Sequence, residues 1–223
     1  MAPPREATER EQISEVTTGR LSVYLRCLTY LESTGQETVS SADLASRFHL
    51  NSAQIRKDLA CFGEFGTRGV GYNVAQLRAN LIKTLGLDRT RNVVIVGAGN
   101  LGMALADYAG FNERGFHIVA LLDNNRSKVG RTSRSGIPVV AWEKLAEVVR
   151  SNAVDIGIIA VSPDSAQSVH DALVDAGVLA VLNFAPVQIR LRDEAKVKSV
   201  DLRINLESLS FYLKTLEDEV RES

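Results

Sequence analysis

"RNVVIVGAGNLGMAL", residues 91–105, runs from apolar, β-branched residues straight into a glycine-rich turn and then a helix-forming stretch. A short apolar run bounded by glycine reads as a strand buried on both faces, as in a parallel sheet. Gly97, Gly99 and Gly102 form G-x-G-x-x-G directly after it. The first glycine allows the tight turn, the second lets backbone approach a pyrophosphate, and the third lets helix pack on strand. Ala98, Asn100 and Leu101 fill the turn where a helix N-terminus offers free N–H groups and partial positive charge to phosphate. The motif alone is weak evidence. Its weight comes from Asp123, which closes a second apolar run 21 residues past Gly102. A carboxylate there accepts from ribose hydroxyls and repels a 2′-phosphate, so NAD(H) is the expected ligand. Arg126 and Lys128 stand nearby and pull toward NADP(H); Lys128 is counted among the candidate binding residues. A turn needed only for packing, and an FAD or coenzyme A nucleotide, are the competing readings.

Beyond the turn, strands and helices alternate: strand 92–96, helix 101–110, strands 117–122 and 138–141, helix 142–151, strand 154–161, helix 163–176 and strand 178–184. This order predicts an α/β fold over residues 87–204, a Rossmann-like, doubly wound parallel sheet covered on both faces. "VSPDSAQ" (161–167) and "NFAP" (183–186) follow two later strands, at the carboxyl ends that line the ligand crevice of such sheets. Ser162, Asn183, Phe184 and Pro186 are therefore candidate cofactor contacts, with ordinary core packing the alternative for Phe184. Further on, Leu206, Leu209, Leu213, Leu216 and Val220 step by 3, 4, 3, 4, an a/d seam on one helix. Residues 205–223 are expected to form a C-terminal dimerisation helix. At about two heptads it is too short to stand as a free coiled coil, and it is expected to pack into a partner subunit.

Residues 1–86 have a different character. Residues 1–19 look frayed, and from Arg20 a helix with Leu21, Tyr24, Leu25, Leu28 and Leu31 on one face runs to Gly35. Ser40 with Asp43 makes a capping box and Val39 with Leu44 a hydrophobic staple. Asn51 caps a second helix after a short turn. "GEFGTRGVGYNV" (63–74) then supplies a glycine-rich hairpin with Arg68 at its tip, and a helix through Leu77, Leu81 and Leu85 ends at Gly86. Helix, helix–turn–helix and hairpin is the order of a winged helix, with the boundary in "GLDRTRN" (86–92). On the second helix Ile55, Leu59 and Phe62 share a buried face. Lys57 lies opposite among Ala53, Gln54, Arg56 and Ala60, a small-plus-basic face suited to a major groove. Ser52, Gln54, Arg56 and Lys57 are candidate DNA contacts, and Arg68 suits a minor groove. A helical dimerisation module is the alternative.

The 223 residues carry a net charge of −1 and are 45% apolar, enough for two cores. Residues 51–83 hold five basic and two acidic side chains, a local island that fits nucleic-acid contact at one surface and excludes a general polyanion binder. Cys27 and Cys61 have no metal-ligand spacing and read as reduced core thiols. The polar start and the absence of a long apolar run lead to the expectation of a cytoplasmic protein with no membrane contact. Hydride transfer needs a second substrate and a proton donor or acceptor. His49, His117 and His170 lie at a turn, a strand start and mid-helix, no metal cluster or nucleophile motif stands out, and no segment is left for a substrate domain. No catalytic residue is expected. An NAD-dependent oxidoreductase is the runner-up.

"NSAQIRKDLACFGEFGTRGVGYNV" (51–74), "VVIVGAGNLGMALADYAGF" (93–111) and "VLNFAPV" (181–187) resemble the Rex family of redox-sensing transcriptional repressors, a likeness running from about Arg20 to Leu213. The resemblance implies a homodimer on a palindromic operator, NADH and NAD⁺ as effectors, and release from DNA by NADH. It also implies a redox switch in which Asp201, of "VDL", exchanges between Tyr108, of "YAGF", and an arginine such as Arg20. Arg91, "INLES" (204–208) and "RTSRSGIPV" (131–139) depart from the family pattern.

Overall fold

The computed structural model describes residues 15–63, 65–67 and 70–222, with side chains through 218. The chain divides between Arg89 and Thr90 into two compact units.

The first unit opens with α1 (Glu15–Ser33), five residues ahead of the expected start at Arg20. Glu15 sits favourably at the positive end of the helix. Thr17 Oγ1 accepts from the Arg20 guanidinium at 3.1 Å and Thr18 carbonyl from Ser22 Oγ, so side chains one turn on secure this first turn. β1 (Thr38–Val39), α2 (Ser41–Phe48) and α3 (Ser52–Ala60) follow. Ser40 Oγ accepts the Asp43 N–H at 3.0 Å and Asn51 Oδ1 the Gln54 N–H at 2.9 Å, the two caps read from the sequence. β2 (Gly66–Thr67), β3 (Gly71–Asn73) and α4 (Val74–Thr84) complete the unit. The strands form an antiparallel sheet ordered β1-β3-β2, so the β2–β3 hairpin is a wing beside α3. Leu21, Leu28, Leu31, Leu44, Ile55, Leu77 and Leu81 converge from four helices into one core. Arg68 lies outside the described residues. Cys27 is buried as expected, but Cys61 is exposed. It caps the end of α3 one turn beyond Lys57, whose carbonyl its thiol meets at 3.3 Å, on the side away from Ile55 and Leu59.

In the second unit six parallel strands are ordered β6-β5-β4-β7-β8-β9. These are β4 (Arg91–Val96), β5 (Phe116–Asp123), β6 (Val139–Ala141), β7 (Ile156–Ile159), β8 (Ala180–Asn183) and β9 (Lys196–Ser199). Numbered from β4 the order is 3-2-1-4-5-6, and the strand order reverses between β4 and β7, the place where doubly wound folds bind ligands. Val93, Val94, Ile95 and Val96 are all buried because β4 is covered on both faces. Helices α7 (Leu145–Ser151) and α8 (Pro163–Asp175) follow β6 and β7. The expected helix 101–110 is broken into α5 (Asn100–Ala106) and α6 (Ala109–Asn112). At the break Asp107 accepts the Ser135 N–H at 2.8 Å and Arg134 Nε at 3.2 Å, a tertiary anchor that outweighs continuation of the helix. The carboxyl of Asp107 is held far below its usual range by the Ser135 N–H and the Ser133 hydroxyl. Helix α9 (Leu202–Glu222) starts three residues before the expected 205. Leu206, Leu209, Leu213 and Leu216 are exposed along it, and the side chain of Val220 lies outside the described residues.

Candidate dinucleotide cleft and nucleic-acid interface

The carboxyl ends of β4, β5 and β7 open onto a cleft of about 640 Å³ lined by Gly97, Gly99, Asp123, Lys128, Ser162 and Ser165, among others. Its floor depends on two glycines for internal reasons. Gly97 has φ +105°, and a Cβ on it would strike the Ala160 carbonyl of the neighbouring strand end. A Cβ on Gly102 would collide with the Gly97 carbonyl oxygen. Gly99 is different: a Cβ there meets nothing within 4 Å. The chain has no packing use for that missing side chain, whereas a pyrophosphate approaching the N-terminus of α5 does. The residues present therefore fit a dinucleotide, with Asn100 and Leu101 exposed on the first turn of α5.

Asp123 is buried, and it organises the turn. It accepts the Ala98 N–H at 2.8 Å, the Asn125 N–H at 2.8 Å and Lys128 Nζ at 2.9 Å. Burial pushes its carboxyl up, but the Asn125 N–H, the Lys128 ammonium and the Ala98 N–H outweigh this and hold it below the usual range. The ionised carboxylate accepts at both oxygens and is donor-free. Ser162 stands at the N-terminus of α8, its hydroxyl 3.4 Å from Ser165 Oγ. Asn183 is fully buried, its amide donating to the Ala185 and Val187 carbonyls and Ser199 Oγ while its oxygen accepts the Ala185 N–H. Its place is as the scaffold of the 184–187 turn. Phe184 is partly buried against the core behind β4 and β5, Pro186 is exposed, and neither lines the cleft.

In the first unit a groove of about 1030 Å³ runs between α3 and the wing, lined by Arg56, Ala60, Gly66, Thr67, Val70 and Tyr72 among others. Arg56, whose Nη1 donates to Ser41 Oγ at 2.9 Å, and Lys57 are exposed; Ser52 and Gln54 are half-buried. Sequence reading missed Asp58. It is 2% exposed and lies on α3 between Ile55 and Leu59. Arg20 grips it with Nε at 2.6 Å and Nη2 at 2.7 Å, Tyr24 donates its hydroxyl at 2.9 Å, and Gln54 donates Nε2 at 2.7 Å. The signal was available: position 58 falls on the buried helical edge, where a carboxylate demands partners. Burial pushes the Asp58 carboxyl up, but Arg20, Gln54 and Tyr24 together hold it below its usual range.

Each of the three residues implied as a switch has partners within its own unit. Arg20 pairs with Asp58, and Asp201 accepts the Arg203 N–H at 2.9 Å and its guanidinium at 3.0 Å. Tyr108 is exposed and packs edge-on to Phe111 at 5.0 Å between ring centres.

A winged helix carried on one chain with a Rossmann-type dinucleotide cleft defines a nucleotide-responsive, DNA-binding regulator. A family model described as "CoA binding domain" matches residues 88–187, and one described as "Putative DNA-binding protein N-terminus" matches residues 12–60. The redox-sensing transcriptional repressor Rex of Carboxydothermus hydrogenoformans is 54% identical over 91% of this chain and 97% of its own length. The crystal structure of RSP with β-NAD⁺ and operator DNA aligns with a TM-score of 0.86 at 36% identity, covering 95% of this chain and 98% of that one. RSP with β-NADH aligns at 0.84 and 35% identity, covering 95% and 99%. The chain belongs to the Rex family of redox-sensing transcriptional repressors.

Proposed function

We infer that this chain is a transcriptional repressor that reads the NADH/NAD⁺ balance and leaves a palindromic operator when NADH fills the cleft. One observation carries the reading: the RSP chain was solved with β-NAD⁺ and operator DNA together, and 95% of this chain aligns with it, both units included. The turn at Gly97, Gly99 and Gly102 with the α5 N-terminus receives the pyrophosphate, and Asp123 the ribose. Ser162 lines the cleft itself, and the 184–187 turn that Asn183 holds, with Phe184 and Pro186 on it, takes part in nucleotide binding from outside the cleft lining. Ser52, Gln54, Arg56, Lys57 and Arg68 face DNA. The protein works as a homodimer, supported by the row of exposed leucines on α9. It acts by binding rather than turnover, in the cytoplasm; among the described residues no helix is long and apolar enough to cross a membrane.

A ligand moves a two-state equilibrium only through its differential affinity for the two states. Because Arg20 and Asp201 each hold another partner, the Arg20–Asp201 pairing of the switch requires both existing pairs to exchange. Coupling is reciprocal, so operator DNA weakens NADH binding by the same factor that NADH weakens operator binding. The test is a mobility shift on palindromic duplexes titrated with NADH and separately with NAD⁺, with NADH consumption followed in parallel. Release by NADH without consumption is the expected result; steady oxidation of NADH with a carbonyl substrate would favour the oxidoreductase reading. The "CoA binding domain" match makes coenzyme A the second ligand to titrate, and release by coenzyme A alone would replace the redox reading.

A further inference from the structure

We propose that Asp58 is a positioning residue for sequence readout: it holds the Gln54 amide ready for a base edge, and Arg20 holds Asp58. The proposal rests on the repressor reading and names a specificity determinant within it. All four acceptor positions of a carboxylate are about what one side chain offers. Here they are filled, Oδ2 by Arg20 Nε and the Tyr24 hydroxyl, Oδ1 by Arg20 Nη2 and Gln54 Nε2. A winged-helix core has no need of an ion at this position. An apolar side chain beside Ile55 and Leu59 would pack without the desolvation that a buried pair suffers. Three of the four donors come from α1 and serve as an anchor. The fourth, Gln54 Nε2, belongs to α3 itself, the helix that also carries the exposed Arg56 and Lys57.

Gln54 is held twice. Its backbone N–H goes to the Asn51 cap at 2.9 Å and its side-chain amide to Asp58 at 2.7 Å. A free glutamine loses rotamer entropy on reaching a base; one already held loses less. With one amide proton on Asp58, the carbonyl oxygen and the second proton are left for a base. That is the acceptor–donor edge complementary to adenine in a major groove.

The test begins by selecting duplexes from a random-sequence pool with the wild-type protein. Affinities for the selected duplex, its single-base variants and a shuffled duplex are then measured for wild type, Asp58→Asn, Gln54→Ala and the double variant. Asp58→Asn is expected to reduce discrimination about tenfold at one base position, with the salt dependence unchanged because no phosphate contact is lost. Gln54→Ala should lose discrimination at that same position, and the double variant should be no worse than Gln54→Ala. If Asp58→Asn does not fold, Arg20→Lys replaces it, since a point charge cannot grip both oxygens; a smaller loss at the same position is expected. Equal weakening on selected and shuffled duplexes, or additive losses in the double variant, would overturn the role of Asp58. Failure of wild type to select any duplex would instead overturn the repressor reading itself.

Discussion

The Asp123 carboxylate accepts the Ala98 backbone N–H at 2.8 Å, a bond across 25 residues that ties the end of β5 to the glycine turn after β4. One residue thus shapes the cleft and supplies its negative charge, and Lys128 partly offsets that charge at 2.9 Å.

Cofactor choice should respond in opposite directions to the two partners. Asp123→Ala should weaken NADH binding by about 1.5–3 kcal/mol, the worth of a hydrogen bond to a charged acceptor, and narrow the preference over NADPH. Lys128→Ala leaves the carboxylate without its cation and should widen that preference. Calorimetric titration with both nucleotides checks the signs; Asp123→Ala binding NADH as tightly as wild type would remove it from the ribose site.

Two neighbouring glycines should fail differently. Gly102→Ala puts a Cβ into the Gly97 carbonyl and should destabilise the second unit by about 1–3 kcal/mol or more, as overpacking does. Gly99→Ala meets nothing in the chain and should melt like wild type, yet lose NADH affinity. Thermal unfolding beside nucleotide titration separates them. Normal affinity in folded Gly99→Ala would mean that no ligand atom approaches there.

The Tyr24 phenol, pushed up to about 12 by burial and then by the Asp58 carboxylate, should give an alkaline stability limb. The folded state keeps this proton above the unfolded value of 10.0, so stability is full below pH 10 and declines between pH 10 and about 12. Asp58 works with the opposite sign: its carboxyl is held below 3.8, so its contribution is present above that pH and disappears in acid. Melting temperatures across pH, with Tyr24→Phe lacking its share of the alkaline limb, check this. An identical alkaline limb in Tyr24→Phe would assign it elsewhere.

The leucines of α9 should hold the dimer. Leu209 and Leu213 are 58% and 61% exposed in the single chain, and burial of such a side chain stabilises by about 1.5–3 kcal/mol. Leu209→Glu with Leu213→Glu should raise the dimer dissociation constant by at least about 100-fold. Sedimentation at micromolar protein reads this directly, and an unchanged dimer would place the interface on another surface.

Much of this protein is written locally. The Ser40 and Asn51 caps, the strand-to-turn unit at 91–102 and the alternation that becomes the parallel sheet were legible, because each depends on residues a few positions apart or on the periodicity of one element. What sequence alone could not supply lies in contacts between distant positions. Arg20 meets Asp58 across 38 residues, and Asp107 meets Ser135 across 28. The first turns an apparent reading helix into one fastened to α1; the second breaks a helix that periodicity would continue. Cys61, apolar by type, is exposed because it caps α3 on the side away from Ile55 and Leu59. Asn183, expected to face a ligand, is enclosed by its own turn and by Ser199 on the next strand. Sequence determines which groups each element can offer. Which of those groups are already bound within the fold, and which stay open to a nucleotide or to DNA, is decided only when burial makes unpaired polar atoms too costly and distant partners come together to satisfy them.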